Sequence, residues 1–292
     1  MDAPTLLTAL LNSTSPAGLL SRRHYRQQYL NYLKLLHPDV CHLPGASDAV
    51  ARLNDYVAQL KALDQLTDDA GPLRRRDEQT FSFEGDPALL QQSLNNYRRL
   101  TQLSSGAAQH FRRYLPTELR REDDSLIVSG PEFLVPLSGL TLLAEHVAWV
   151  LSRLLELVAW LHQEGFCHAG LTPESLALVP GTHGIMALSF YHLTSLGGPL
   201  TAVSGNYLNW YPPAVFRDKR ATAYIDLSLA QRTALYLLGD PSGHGVKLRK
   251  TVDERLINFL IAPQQNAYAM LTEWRALLKT MFGKPVFYPL EL

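Results

Sequence analysis

Residues 154–216 contain no lysine and no arginine, and their only acids are Glu156, Glu164 and Glu174. So long a stretch with so few charges has to pack inside a folded unit, because an open surface is normally lined with charged and polar side chains. Any chemistry assigned to it must work without cations. The composition around it agrees: 292 residues, 46% apolar and 18% charged, describe a globular protein of roughly one to three domains. Its 27 Lys+Arg balance 27 Asp+Glu. A neutral total argues against a whole-molecule binder of nucleic acid or anionic membrane, which would carry a basic excess.

Cys41 and Cys167 are too few for a disulfide framework, which points to a reducing, cytoplasmic setting. Residues 1–11 have no basic run ahead of their short apolar one, so no signal peptide is expected. The most apolar long segment, residues 140–162, carries Glu145, His146, Arg153 and Glu156. Those groups are costly in lipid and suit a helix buried in protein, so no membrane contact is expected.

Residues 1–66 read as helical. In residues 19–36, Tyr25, Tyr29, Tyr32, Leu33 and Leu36 fall at spacings of three and four, and Arg22, Arg23, Arg26 and Lys34 supply a basic exterior. Pro38 ends this helix at His37. A second helix, capped by Ser47 or Asp48, carries a stripe of Val50, Leu53, Val57 and Leu60, which makes a helical hairpin. Residues 67–78 are polar, broken by Gly71 and Pro72, and read as a linker with Arg74, Arg75 and Arg76 solvated. Residues 79–84 alternate like a strand, residues 88–103 read as a helix, and 117–122 with 126–129 form a hairpin turning at Asp123-Asp124. Beyond 139 the chain is mainly helical, with a loop-rich region at 165–213. The fold class expected is mainly α: a helical hairpin followed by an α+β domain.

The tripeptide His37-Pro38-Asp39 closes a basic amphipathic helix and precedes a loop and a second such helix. With Tyr29 and Leu33 before it, and Val50, Leu53 and Asn54 after it, this arrangement resembles the J domain of DnaJ-type co-chaperones. The resemblance implies docking onto a DnaK-type heat-shock ATPase, with His37, Pro38 and Asp39 triggering hydrolysis in the partner and Arg22, Arg23, Arg26 and Lys34 meeting an acidic surface. Val40, Leu30 and Asn31 depart from the family's basic preferences. A helical hairpin whose His37 and Asp39 only satisfy the loop backbone is the alternative. Cys41 and His42 lack a second ligand pair at zinc spacing, so no metal is expected.

Residues 160–178, with His168, Leu171, Pro173 and Glu174 in register, resemble the catalytic loop of protein kinases, H-R-D-L-x-x-x-N. Gly170 stands at the catalytic Asp, Thr172 at the phosphate-directed Lys and Ser175 at the metal-binding Asn. Ser189-Phe190-Tyr191 resembles D-F-G with Ser189 at the magnesium-binding Asp, and Ala214 stands at the Glu of A-P-E. Asp226 matches the buried Asp that braces the catalytic-loop backbone. No lysine occurs between Lys61 and Lys219, no G-x-G-x-x-G occurs in residues 67–140, and no Asp or Glu occurs between Ser175 and Arg217.

Phosphoryl transfer needs carboxylates on the metal and cations on the phosphates, so the resemblance implies a pseudokinase that is not an enzyme and takes no cofactor. Residues 67–86 look too few for the family's usual three strands, which implies a reduced N-lobe at 79–139 ahead of a helical C-lobe at 140–292. A Ser204 or Ser242 triad has no G-x-S-x-G elbow behind it. Arg98, Arg99, Arg112, Arg113, Arg120 and Arg121 stand against Glu118 alone and are candidate contacts for phosphate or nucleic acid, with solvated faces of a helix and hairpin as the favoured alternative. The expected role is a non-catalytic adaptor joining a heat-shock ATPase to an unidentified client or complex subunit. The competing classes are an atypical nucleotide-binding regulator and a nucleic-acid-contacting subunit.

Overall fold

The computed structural model describes residues 1–13, 15, 16, 18–37, 39–62, 64–284 and 290. The chain divides into two compact units, Met1–Leu66 and Thr67–Leu290.

The first unit holds three helices, α1 (Ala3–Asn12), α2 (Tyr25–Leu36) and α3 (Ala46–Ala62). Asp2 caps α1, its carboxylate accepting the Thr5 N–H at 3.0 Å. Leu6, Leu10, Leu20, Tyr25, Leu36, Leu53, Tyr56, Val57 and Leu60 form its core. Where α1 ends, the carbonyls of Leu10, Leu11 and Ser13 accept from Arg52 Nη1 at 3.2, 2.6 and 3.0 Å, the first of them also taking the Ser13 hydroxyl at 2.7 Å.

Three expectations change here. The two-helix hairpin is a three-helix unit, because α1 buries Leu6 and Leu10 against the other two. The helix expected from residue 19 starts at Tyr25, so Arg22 and Arg23 lie in the turns ahead of it, where the Ser21 N–H is taken by Gln28 Oε1 at 2.7 Å. Neither Ser47 nor Asp48 is a cap: α3 begins at Ala46 after Gly45, whose φ of 85° turns the chain as few other residues can.

From β1 (Gln65–Thr67), which spans the boundary between the units, the chain runs into β2 (Pro72–Arg75), β3 (Thr80–Glu84), β4 (Glu118–Glu122) and β5 (Ser125–Ser129) of the second unit, in one sheet of order β1-β2-β3-β5-β4. Phe81 pairs with Val128 and Phe83 with Leu126, all four buried, so the sheet buries the face those alternating residues share. The β4–β5 turn puts Asp123 at φ 49°, a left-handed conformation that Asp tolerates. Packed with this sheet is α4 (Pro87–Thr101), capped by Asp86, and after it comes α5 (Gly106–Phe111), capped by Ser105.

The segment read as a linker is therefore a correction: it contains β2. Leu73 is fully buried in it, Arg74 meets Glu84, Arg76 meets Glu122, and the Arg75 guanidinium lies 4.5 and 5.1 Å from the Phe81 and Phe133 rings. Among the described residues three strands precede α4, where the sequence looked too short for three. The tight turns are possible because Gly71 and Gly85, both at φ 142°, pass back to back; a Cβ on Gly85 would collide with the Ala70 carbonyl oxygen and one on Gly71 with that of Glu84.

The remainder is mostly helical. A small sheet of β6 (Val135–Pro136), β8 (Leu176–Val179) and β9 (Gly184–Ala187) and a two-strand ladder of β7 (Phe166–Cys167) with β10 (Thr194–Ser195) flank α6 (Ala144–Gln163). That helix packs on α8 (Ala223–Leu237) and α10 (Ala267–Phe282), with α7 (Ala214–Asp218) and α9 (Glu254–Ile261) nearer the surface. Trp274 of α10 donates from Nε1 to Ser152 Oγ of α6 at 2.9 Å. Most of the charge-poor stretch is buried in this part, as its composition requires. Among the described residues no helix is long and apolar enough to cross a membrane.

Candidate functional site

In the first unit His37 ends α2 and Asp39 follows in an exposed turn, their side chains 47% and 86% accessible. Pro38 lies outside the described residues. His37 Nδ1 sits 3.3 Å from the Asp39 N–H and 3.4 Å from Asp39 Oδ2. One nitrogen cannot serve both partners at once, since accepting the amide needs a bare nitrogen and binding the carboxylate needs a proton. Both side chains thus face solvent with weak local ties. Lys34 is exposed on α2, whereas Arg26 is engaged, donating to the Tyr25 hydroxyl at 3.1 Å and to Asp64 Oδ2 at 3.3 Å.

In the second unit the residues around position 170 are drawn together by one carboxylate. Asp226, in the first turn of α8 and fully buried, accepts the His168 N–H at 2.9 Å and the Ala169 N–H at 2.7 Å, and lies 2.9 Å from His162 Nε2. Burial pulls this carboxyl upward, but His162 and the amides outweigh burial and hold it below its ordinary value. The same bonds hold Ala169 at φ 56°, a conformation that costs an alanine about 1–2 kcal/mol. Tyr211 adds a 2.7 Å bond from its hydroxyl to the Ala169 carbonyl.

The side chains at the reactive positions of the loop are turned inward. Ser175 Oγ accepts the Thr172 N–H at 2.9 Å and faces the carbonyls of Gly170 and Thr172 at 2.6 and 3.0 Å, so it closes the loop on itself. Thr172 is buried. The His168 ring is fully buried with neither nitrogen hydrogen-bonded among the described residues, and burial pushes its pKa down to about 4. A Cβ added to Gly170 would stand 2.5 Å from His192 Cδ2, so the space beside that glycine is filled by an imidazole.

The following segment is fastened to α4. Ser93 Oγ accepts the Phe190 N–H at 2.9 Å, and Asn96 Nδ2 donates to the carbonyls of Phe190 and Leu193 at 2.9 and 3.0 Å. The Phe190 ring lies 6.1 Å from Tyr97, and the Tyr191 ring meets Phe83 edge-on at 6.1 Å. Ser189 is buried, and Ala214 is exposed at the start of α7.

Two acids that the sequence placed in a solvated linker enter this site. Asp69 Oδ1 accepts from Ser204 Oγ at 2.9 Å and from the Gly205 N–H at 3.0 Å, and its Oδ2 lies 3.0 Å from His192 Nε2. Burial raises the Asp69 carboxyl, but these three contacts prevail and hold it low. Asp68 accepts the Ala70 and Gly71 amides at 2.9 and 3.3 Å beside the Tyr191 hydroxyl, and burial pushes it up to about 7. Glu174 binds Ser138 Oγ at 3.1 Å and the Tyr207 hydroxyl at 2.7 Å, its carboxyl raised by burial.

Asp68, Asp69, His192, Ser93, Asn96 and Tyr207 were not found by sequence reasoning. Their partners lie up to 136 positions away. Ser204 does meet an Asp and a His, but its hydroxyl bonds the carboxylate and not the imidazole, which is the wrong order for an activated nucleophile. Ser242 Oγ likewise bonds Asp240 at 2.7 Å. Among the described residues no three His, Cys, Asp or Glu side chains gather as a metal site.

The six candidate arginines are largely engaged locally. Arg99 bonds Asn96 at 3.0 Å and lies over Phe166, Arg120 sits between Glu118 and Glu122 at 3.3 and 2.7 Å, and Arg121 bonds the Asp123 carbonyl at 2.9 Å. Arg98 is exposed near the end of α4. Arg112 Nη2 donates to the carbonyls of Thr101 and Leu103 at 2.6 and 3.0 Å, and Arg113 lies 3.7 Å from Glu156; these two line one cleft.

No family model matches this chain, and no curated protein matches it. Among solved structures, vaccinia related kinase 3 is similar at a TM-score of 0.48 and 14% identity, over 77% of this chain and 96% of that one.

Proposed function

We propose that the protein is a non-enzymatic adaptor. Its first unit resembles a J domain and would present His37 and Asp39 to a DnaK-type ATPase; its second resembles a protein kinase and would hold a partner protein without phosphoryl transfer. The observation that carries the non-catalytic half is the Asp69 carboxylate, seated on His192, Ser204 and Gly205 while His192 fills the space beside Gly170. A nucleotide phosphate would have to displace a half-buried carboxylate already supplied with three donors. In the kinase pattern Gly170 is also where the catalytic acid would stand, and His192 occupies the space beside it, which supports a non-catalytic reading.

For the first half, the support is that His37 and Asp39 sit exposed at the end of α2, on a loop fixed at both ends by helices. Replacing His37 by Gln is expected to reduce stimulation of a DnaK-type ATPase to background with the fold intact; unchanged stimulation sinks this half. For the second, millimolar ATP with magnesium or manganese is expected to leave thermal unfolding unmoved. Occupancy at a hundred times Kd would add about 2.7 kcal/mol of stability, so a clear upward shift would favour a nucleotide-binding regulator instead.

A further inference from the structure

A cleft of about 770 Å³ opens in the second unit, well apart in composition from the acid-filled site. Tyr97, Pro116, Pro131 and Val179 give it apolar walls, and Arg112, Arg113 and Arg153 give it cations. Its one acid, Glu132, packs against Gly181. Behind it, Glu156 is shared by Arg153 and Arg275 at 3.1 Å each and by Arg113 at 3.7 Å, and it also accepts the Tyr114 hydroxyl at 2.6 Å. Four guanidinia thus stand against two carboxylates, a local cationic excess in a chain whose total charge is zero.

Those guanidinia have donors to spare. Among the described residues, the hydrogen bonds of the three cleft arginines run through a single nitrogen each, Nη2 of Arg112, Nη2 of Arg113 and Nη1 of Arg153. A guanidinium carries five N–H donors in a planar fork that fits a carboxylate. The bonds already made hold the forks in place, which lowers the ordering cost of capturing an anion.

We propose that this cleft docks an acidic segment of a partner protein, Asp- or Glu-bearing residues meeting the three arginines while neighbouring apolar residues lie on the tyrosine and proline walls. This deepens the adaptor reading and rests on it for the kind of occupant. The charge is too confined for a nucleic acid: Arg120 and Arg121 are committed to the hairpin's own groups, and Glu118, Glu122 and Glu132 interrupt any basic track along which a phosphate backbone could run.

The test uses the full chain, a fluorescently labelled glutamate-rich peptide and anisotropy at low and physiological salt. Binding that weakens with salt is expected, and Arg113→Glu and Thr182→Glu should each weaken it about tenfold. Thr182 lines the cleft and is exposed, so that substitution places a like charge there while leaving every arginine in its network; thermal unfolding verifies that both variants fold. Equal binding by parent and folded Thr182→Glu overturns the proposal, as does displacement by inorganic phosphate at peptide-like concentrations or stronger binding of a single-stranded oligonucleotide. His37→Gln should leave peptide binding unchanged, so failure here is distinguishable from failure of the chaperone reading.

Discussion

Asp226→Ala is expected to cost the second unit about 3–5 kcal/mol, because it removes a fully buried carboxylate and leaves its hydrogen-bonding partners unsatisfied. That is a large share of the roughly 5–15 kcal/mol that holds a typical domain together. The truncation orphans the amides of His168 and Ala169 and the Nε2 of His162 in a fully buried site, and it frees Ala169 from a backbone conformation it would not choose alone. Denaturant unfolding of the second unit should show a lower midpoint with an unchanged slope. Asp226→Asn, which keeps one acceptor, should fall between. The carboxyl is held below its ordinary value of 3.8, so the folded state releases this proton more readily than the unfolded one. Its contribution is therefore complete above pH 3.8 and drains away as the pH falls through the lowered value, and the gap between parent and Asp226→Asn should close on acidification. A gap independent of pH would contradict the ionised assignment.

The opposite sign is expected at Asp68. Burial raises its carboxyl from 3.8 to about 7, so between those values the folded protein keeps a proton that the unfolded chain has released. Stability contributed by this site is thus present below pH 3.8 and lost as the pH rises toward 7. A difference near three pH units corresponds to a penalty on the order of 4 kcal/mol above pH 7, at 1.36 kcal/mol per unit. Asp68→Asn preserves the shape and the oxygen that accepts the Ala70 and Gly71 amides, and cannot ionise. It should stabilise the protein at pH 8 and change nothing near pH 3. Denaturant midpoints of the two proteins across this range measure it, and a variant less stable than its parent at pH 8 overturns the assignment.

Much of this was legible from the chain and some of it could not be. The hairpin of β4 and β5 announces itself through alternation on either side of Asp123-Asp124, and α4 was expected at 88–103, close to its observed Pro87–Thr101. The depletion of charge over 154–216 foretold burial. By contrast, β2 reads as solvated because it ends in Arg74 and Arg75 and is followed by Arg76. Those cations are carried by Glu84, Glu122 and the rings of Phe81 and Phe133, partners supplied only when the sheet has formed. Asp69 fails for the same reason at longer range: local pattern prices an acid as exposed, and His192, Ser204 and Gly205, far along the chain, make its partial burial tolerable. Asp68, which accepts the Ala70 and Gly71 amides, is buried only once the distant Tyr191 stands beside it. Arg22 and Arg23 were placed on a helix by periodicity, which does not register that Gln28 takes the Ser21 amide ahead of it.

The fastening of Phe190 and Leu193 to α4 by Ser93 and Asn96 has a wider meaning. A hydroxyl and a carboxamide neither titrate nor attract counter-ions in the working range of pH and salt. A helix secured in this way has no release that a proton, a metal or a phosphate could operate, whereas one secured by an ion pair would have all three. These ties are therefore indifferent to pH and salt, and any response of this segment to either falls to the neighbouring Asp69 carboxylate, 3.0 Å from His192 Nε2.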